Sequence, residues 1–245
     1  NYQPITMTDL TSRGLYTSTA NGGLVNFLNE SDISLTNNDT YGCQIYNENG
    51  EINFTNNGNM LFNNIGNDAL YHDNLGDDEA IPNVLNFTNN GNIIVNTTAD
   101  DAWYNYSSKS INTIVNNGLI DIDNVADMGI YNVADHAGEI HFTNENTIDV
   151  NTGTDRLLYN LTDNAAKIYF TNNDSITLAN TNEAGIYNYS RDGEIHFTNS
   201  NMAVIDIDNI GDEAGIYNLC KKEVPEYEAN LYFDNFGTIN IDNII

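Results

Sequence analysis

The chain has very little positive charge. Seven Lys plus Arg stand against 35 Asp plus Glu in 245 residues, a net charge of −28. Nucleic-acid binding and attachment to anionic membranes both need basic patches, so neither partner is expected. Cysteine is nearly missing as well. Cys43 and Cys220 are too few for a disulfide framework. No apolar run approaches 18 residues, which excludes a membrane-spanning helix. Helix formers such as Lys, Arg, Gln and Met are sparse, and no stretch keeps a 3.6-residue apolar period, so little or no helix is expected. Acidic chains are often disordered, but disordered chains lack aromatic and β-branched residues. This one has 15 Tyr, 9 Phe and abundant Ile, enough to build a core. It opens on Asn without a leader, which fits a processed, exported protein and an extracellular or cell-surface location.

What fills the chain is repetition. The words "GIYN" and "GEIHFTN" occur at 129–132 and 138–144 and return, the first as "GIYN" at 185–188 and the second as "GEIHFTN" at 193–199. The central apolar residue of the second word falls at Phe27, Phe54, Phe87, Ile114, Phe142, Phe170, Phe197 and Phe233, at intervals of 27, 33, 27, 28, 28, 27 and 36 residues. A third word of the type I-x-I-x-N follows, as "IDIDN" at Ile120–Asn124 and Ile205–Asn209. A repeat of this length means a solenoid. Each word alternates with period two, so it reads as a strand. Three short strands per repeat make one coil of a right-handed, three-faced parallel β-helix. Eight such coils account for residues 14–245. Residues 1–13 form an extension whose Ile5/Met7 alternation reads as one more strand, a donor strand or a cap.

Each word ends in Asn, which tolerates a left-handed corner and can bond the same amide one coil away. Three Asn columns are expected: one from Asn47 through Asn105 to Asn218, one from Asn56 to Asn235, and one from Asn63 through Asn124 and Asn151 to Asn243. A Tyr column (Tyr16, Tyr46, Tyr71, Tyr104, Tyr131, Tyr159, Tyr187 and Tyr217) and the Phe column should stack along the rod. Two insertions, Asn74–Asn83 and Cys220–Asn230, should leave the same corner. Cys43 and Cys220 lie about six coils apart, too far for a disulfide.

Chemistry is thinly represented. Asp121, Asp149 and Asp206 point out from one face, but the Lys and Arg residues are scattered through turns. A repeated carboxylate is a poor active site, because catalysis needs one asymmetric constellation. No catalytic residue is therefore assigned, and the chain is not expected to be an enzyme. The histidines, His72 and His136 included, read as solvated side chains. One acidic series precedes the first word of successive coils: Asp68, Asp101, Asp127, Asp155, Glu183 and Glu213. Stacked at about 4.8 Å these charges repel, and Ca²⁺ bridging neighbouring coils through Asp101, Asp127, Asp155, Glu183 and Glu213 is the expected remedy. Nine N-x-S/T sequons, Asn53 and Asn86 among them, are candidate sites for glycans.

The F-x-x-N words at Phe54–Asn57, Phe87–Asn90 and Phe170–Asn173 resemble those of polymorphic outer-membrane proteins, although the companion G-G-A-I word is missing. More broadly the chain resembles the passenger rods of autotransporter-like adhesins and the Asn-rich adhesin-like proteins of methanogens. The resemblance implies an extracellular structural or adhesive role. The abrupt final coil, "FGTINIDNII", adds the expectation of head-to-tail self-association into a filament, with the chain itself as its partner. A module binding glycans or a host-cell receptor is the alternative, and a polysaccharide lyase or hydrolase a more distant one.

Overall fold

The computed structural model describes residues 3–76, 83–211 and 213–244. Among these every regular element is a strand and every strand pairing is parallel. The cause is visible in one word. In Glu194–Asn199 the residues Ile195, Phe197 and Asn199 are buried, while Glu194, His196 and Thr198 are half-buried on the outer surface. Period-two burial of this kind is satisfied only by a strand lying on a core.

Eight coils stack as a β-solenoid with three faces. Face one runs from the first half of Leu15–Asn29 to Ile216–Lys221, and face two from the second half of Leu15–Asn29 to Asn230–Asn235. Face three is a separate nine-stranded sheet that ends with Thr238–Ile244. Leu15–Asn29 and Cys43–Asn56 bend around the first corner without a break, and so fuse faces one and two into one 14-stranded sheet. Left-handed backbone at Asn21, Gly22 and Asn49 makes that bend. The leading Ile5–Leu10 segment is the ninth strand of face three, paired in register with Ile33–Asn38. The coil 8 insertion leaves the first corner, between Ile216–Lys221 and Asn230–Asn235. The insertion expected in coil 3 falls mostly on residues 77–82, and the last isoleucine is Ile245; both lie outside the described residues.

The interior is built from columns. Phe27, Phe54, Phe87, Ile114, Phe142, Phe170, Phe197 and Phe233 are in register on face two. Adjacent Phe rings stack at 4.4 to 5.1 Å between centroids. The one interruption, at Ile114, is filled from the opposite wall. Trp103, fully buried on face one, reaches to 5.3 Å from Phe87 and 5.6 Å from Phe142. Two Asn ladders run inside the rod, one at the second corner and one within the strands of face one. Asn29, Asn56, Asn89, Asn116, Asn144, Asn172, Asn199 and Asn235 form one, each Nδ2 donating to the next Oδ1 at 2.7 to 2.9 Å. The other runs through Asn105, Asn132, Asn160, Asn188 and Asn218, donating in the same direction. The turn behind the second corner is tight. A Cβ on Gly91 would lie 1.9 Å from the Gly58 carbonyl oxygen, which reserves that turn for glycine.

Several expected columns are corrected by the register. In coil 2 Gln44, not Tyr46, pairs with Tyr16 and Tyr71, and Ile45 rather than Asn47 occupies the ladder column. Asn47 stands one step further on with Asn74, and donates to the carbonyls of Gly50 and Val84. A slip of two residues keeps the same side chains inside, so the word alone could not fix it. The third Asn column divides. Asn37, Asn64, Asn124, Asn180, Asn209 and Asn243 share the left-handed corner, whereas Asn63 and Asn151 stand one residue earlier. His72 is not solvated but fully buried, in register with Asn105. The two thiols are free, on strands six spacings apart along face one. Burial pushes the Cys43 thiol up to about 12, so it is inert at neutral pH. Of the nine sequons, Asn29, Asn38, Asn105, Asn160 and Asn188 are buried, which leaves the glycan expectation to the remaining four.

Candidate functional site: an aromatic–acidic stripe on face one

The outer side of face one carries the chain's most concentrated chemistry. Tyr71, Tyr104, Tyr131, Tyr159, Tyr187 and Tyr217 are in register. Their neighbouring ring centroids lie 4.7 to 5.3 Å apart. Where Gln44 breaks the column, Tyr41 swings in from the preceding turn to 4.6 Å from Tyr71. Acidic residues run beside this row in the turn that enters each strand.

Those acids form two columns, not one. The paired strand starts are Leu70, Trp103, Ile130, Leu158, Ile186 and Ile216. Asp68 and Asp101 stand two residues before their starts; Asp127, Asp155, Glu183 and Glu213 stand three before. Asp100, absent from the expected set, belongs to the second column. The inner column continues past Asp101 with Met128 and then Arg156. From there Arg156 answers the outer acids, at 2.9 Å from Asp155, 2.7 Å from Glu183 and 3.7 Å from Glu213. Its guanidinium also lies over the rings of Tyr159 and Tyr187, at 5.2 and 4.3 Å. Asp155, Glu183 and Glu213, proposed from sequence as calcium ligands, thus already have a counter-charge, and Asp127 lies in the same field.

At the other end of the stripe Asp68, Asp100 and Asp101 bring carboxylate oxygens within 4.8 Å of one another. With Tyr41, Asn67, Tyr71 and Tyr104 they line one shallow pocket. Of the five acids named for Ca²⁺, only Asp101 sits here. Asp68 and Asp101 are almost fully buried. Each accepts one backbone N–H from the next coil, from Asp101 at 3.2 Å and from Met128 at 3.0 Å. Burial first, and the neighbouring carboxylates second, push Asp68 up to about 8. Burial above all lifts Asp101 to about 7.

Face two carries a smaller row of rings on its outer side: His141, Tyr169, His196 and Tyr232, stacked at 4.5 to 5.1 Å. His141 and His196 bond Glu139 and Glu194 on their own strands. On face three Asp121, Asp149 and Asp206 share a column, and none of them is ion-paired among the described residues.

No family model, no curated protein and no solved structure matches the chain.

Functional readings therefore rest on the geometry of the stripe and of the coil stack. The acidic groups of the stripe and the buried His72 have opposite pH signatures. Asp68 titrates at about 8 when folded against about 3.9 unfolded, so its stabilising share is complete below about pH 4 and is lost as pH rises to about 8. His72 is held near 3 by burial, so its share is present above about pH 6.5 and is lost as pH falls toward 3. Thermal melts are expected to show a maximum in the mildly acidic range. Asp68→Asn should flatten the alkaline limb and leave the acid limb in place; an unchanged alkaline limb would refute this account of Asp68.

Proposed function

We propose that the protein is an extracellular structural solenoid whose terminal coils stack on further copies head to tail, as a filament subunit or surface adhesin. One observation carries the reading. The inward-pointing residues of the first and last described coils are only partly covered, and they match column for column. Leu15, Val25 and Phe27 at one end correspond to Ile216, Leu231 and Phe233 at the other. Ile5 and Met7 correspond on face three to Ile239 and Ile241, the latter 40% exposed. Among the described residues the outermost strands pair on one edge only, and a free strand edge favours further parallel pairing. The Asn ladders donate in one direction, so head-to-tail stacking continues the Asn29–Asn235 ladder from Asn235 into the next copy's Asn29 and keeps every strand parallel. Such a contact does not close on itself. The resemblance to adhesin passenger rods agrees with this role and belongs to the proposal.

The test is light scattering across a range of protein concentrations, in Ca²⁺ and again in chelator. Growing assemblies are expected, and Phe233→Asp should abolish them while leaving the far-ultraviolet spectrum unchanged. A strict monomer throughout would overturn the reading. Assembly in Ca²⁺ alone would assign the metal the bridging role expected from the acidic turns.

A further inference from the structure

Arg156 shows what the aromatic–acidic stripe accommodates. Its guanidinium lies over two tyrosines of the column and pairs with the acids beside them. The same constellation recurs in the upper coils. There Tyr41, Tyr71 and Tyr104 supply the rings, and Asp68, Asp100 and Asp101 the carboxylates. Asp68 and Asp101 stand in the column that Arg156 occupies lower down. What differs is the cation. All seven Lys and Arg of the chain are among the described residues. Arg13 lies over Tyr16 at 4.4 Å, Arg191 pairs with Asp163, and Lys221 and Lys222 pair with Glu223 and Glu228. None pairs with Asp68, Asp100 or Asp101. Asp68 and Asp101 are only 4% and 6% exposed, and each has a single backbone amide bonded to its carboxylate. Buried carboxylates without a counter-charge are disfavoured as ions, and a cation beside them offsets part of that cost.

We propose that the pocket formed by Tyr41, Tyr71, Tyr104, Asp68, Asp100 and Asp101 binds a guanidinium or alkylammonium group, with an arginine side chain of a partner protein as its occupant. The planar cation lies against the tyrosine rings as Arg156 does, and its N–H groups meet the carboxylates. Calcium suits the pocket less well. It takes six to eight oxygens, whereas three of the walls here are aromatic and two of the carboxylates already accept amides. The net charge of −28 draws any cation toward the protein, so the discriminating evidence is local.

The experiment is a calorimetric and NMR titration of the full chain, at physiological salt, with a blocked peptide carrying two arginines. Its lysine counterpart, agmatine and calcium chloride are the other arms. Peptide binding is expected to shift the ring resonances of Tyr71 and Tyr104. Asp100→Asn and Tyr104→Leu, each checked for an unchanged melt, should each weaken it about tenfold or more. Asp149→Asn, which removes the same charge from face three, should leave binding unchanged. Agmatine binding as tightly as the peptide would support the chemistry and make the occupant a small cation, not a protein. Equal weakening by Asp149→Asn would overturn the proposal, as would calcium binding that depends on Asp100 while the peptide does not bind.

Discussion

Trp103→Leu is expected to lower stability by about 2–4 kcal/mol, and Ile114→Phe on top of it to restore a substantial part. Trp103 is fully buried and fills the one gap in the phenylalanine column, between Phe87 and Phe142. Truncating it leaves a cavity that the strands cannot collapse, because each is held in register from both sides. Ile114 sits in the Phe column itself, in register with Phe87 and Phe142. A phenylalanine there extends into the space the indole occupies. Alone, Ile114→Phe should therefore destabilise by about 1–3 kcal/mol through overcrowding. In the double variant the two volume changes offset one another, and a coupling of about 1–2 kcal/mol should appear in urea midpoints. Strict additivity would mean that the two walls do not meet.

Asn144→Leu should cost about 2–5 kcal/mol, while Asn117→Ala, one coil earlier in the chain, should cost less than about 0.5. Both asparagines donate to an asparagine in a neighbouring coil at almost the same distance, Asn144 to Asn172 at 2.9 Å and Asn117 to Asn90 at 2.8 Å. Burial separates them. Asn144 is inaccessible to water and also accepts from Asn116. Removing it leaves the Asn172 oxygen and one Asn116 hydrogen without partners inside the rod, where water cannot replace them. Asn117 lies outside, and water takes over both halves of its bond. Equal losses at the two sites would show that the ladder contributes by repetition alone, whatever its burial.

The sequence made the architecture legible because interior and exterior alternate strictly. The phenylalanine column and the Asn56–Asn235 ladder are legible directly, since an inward aromatic and a corner amide have no alternative place. Registers were less legible. The words put Tyr46 and Asn47 two residues off, and nothing in the alternation of "CQIYN" opposes that slip, because Cys43 and Ile45 stay inside either way. Turn residues are worse determined, for neighbouring polar residues are equally content in water. This is why the acidic series reads as one column where the structure has two, with Asp100 hidden in the pair "DD" at 100–101. Two further signals lie in the sequence. In "LYHDNL" the alternation of Tyr71 and Asp73 outward already sends His72 inward. In "TDRLLYN" an arginine stands next to the acid of its turn, beside the tyrosine column that it covers.

Because each coil touches only the coils above and below it, the rod has a grain, like wood. A force that lifts the chain from its last coil loads only the three pairings made by Ile216–Lys221, Asn230–Asn235 and Thr238–Ile244 with the strands beneath them. The strands further in carry none of it until those have let go. Such a body does not burst; it pays out. Every coil released adds roughly 27 residues of slack, on the order of 9 nm at about 3.4 Å per residue. The eighth coil, lengthened by its insertion, gives more than the rest. A rod built in this way would yield under tension one coil at a time and keep most of its length folded while doing so.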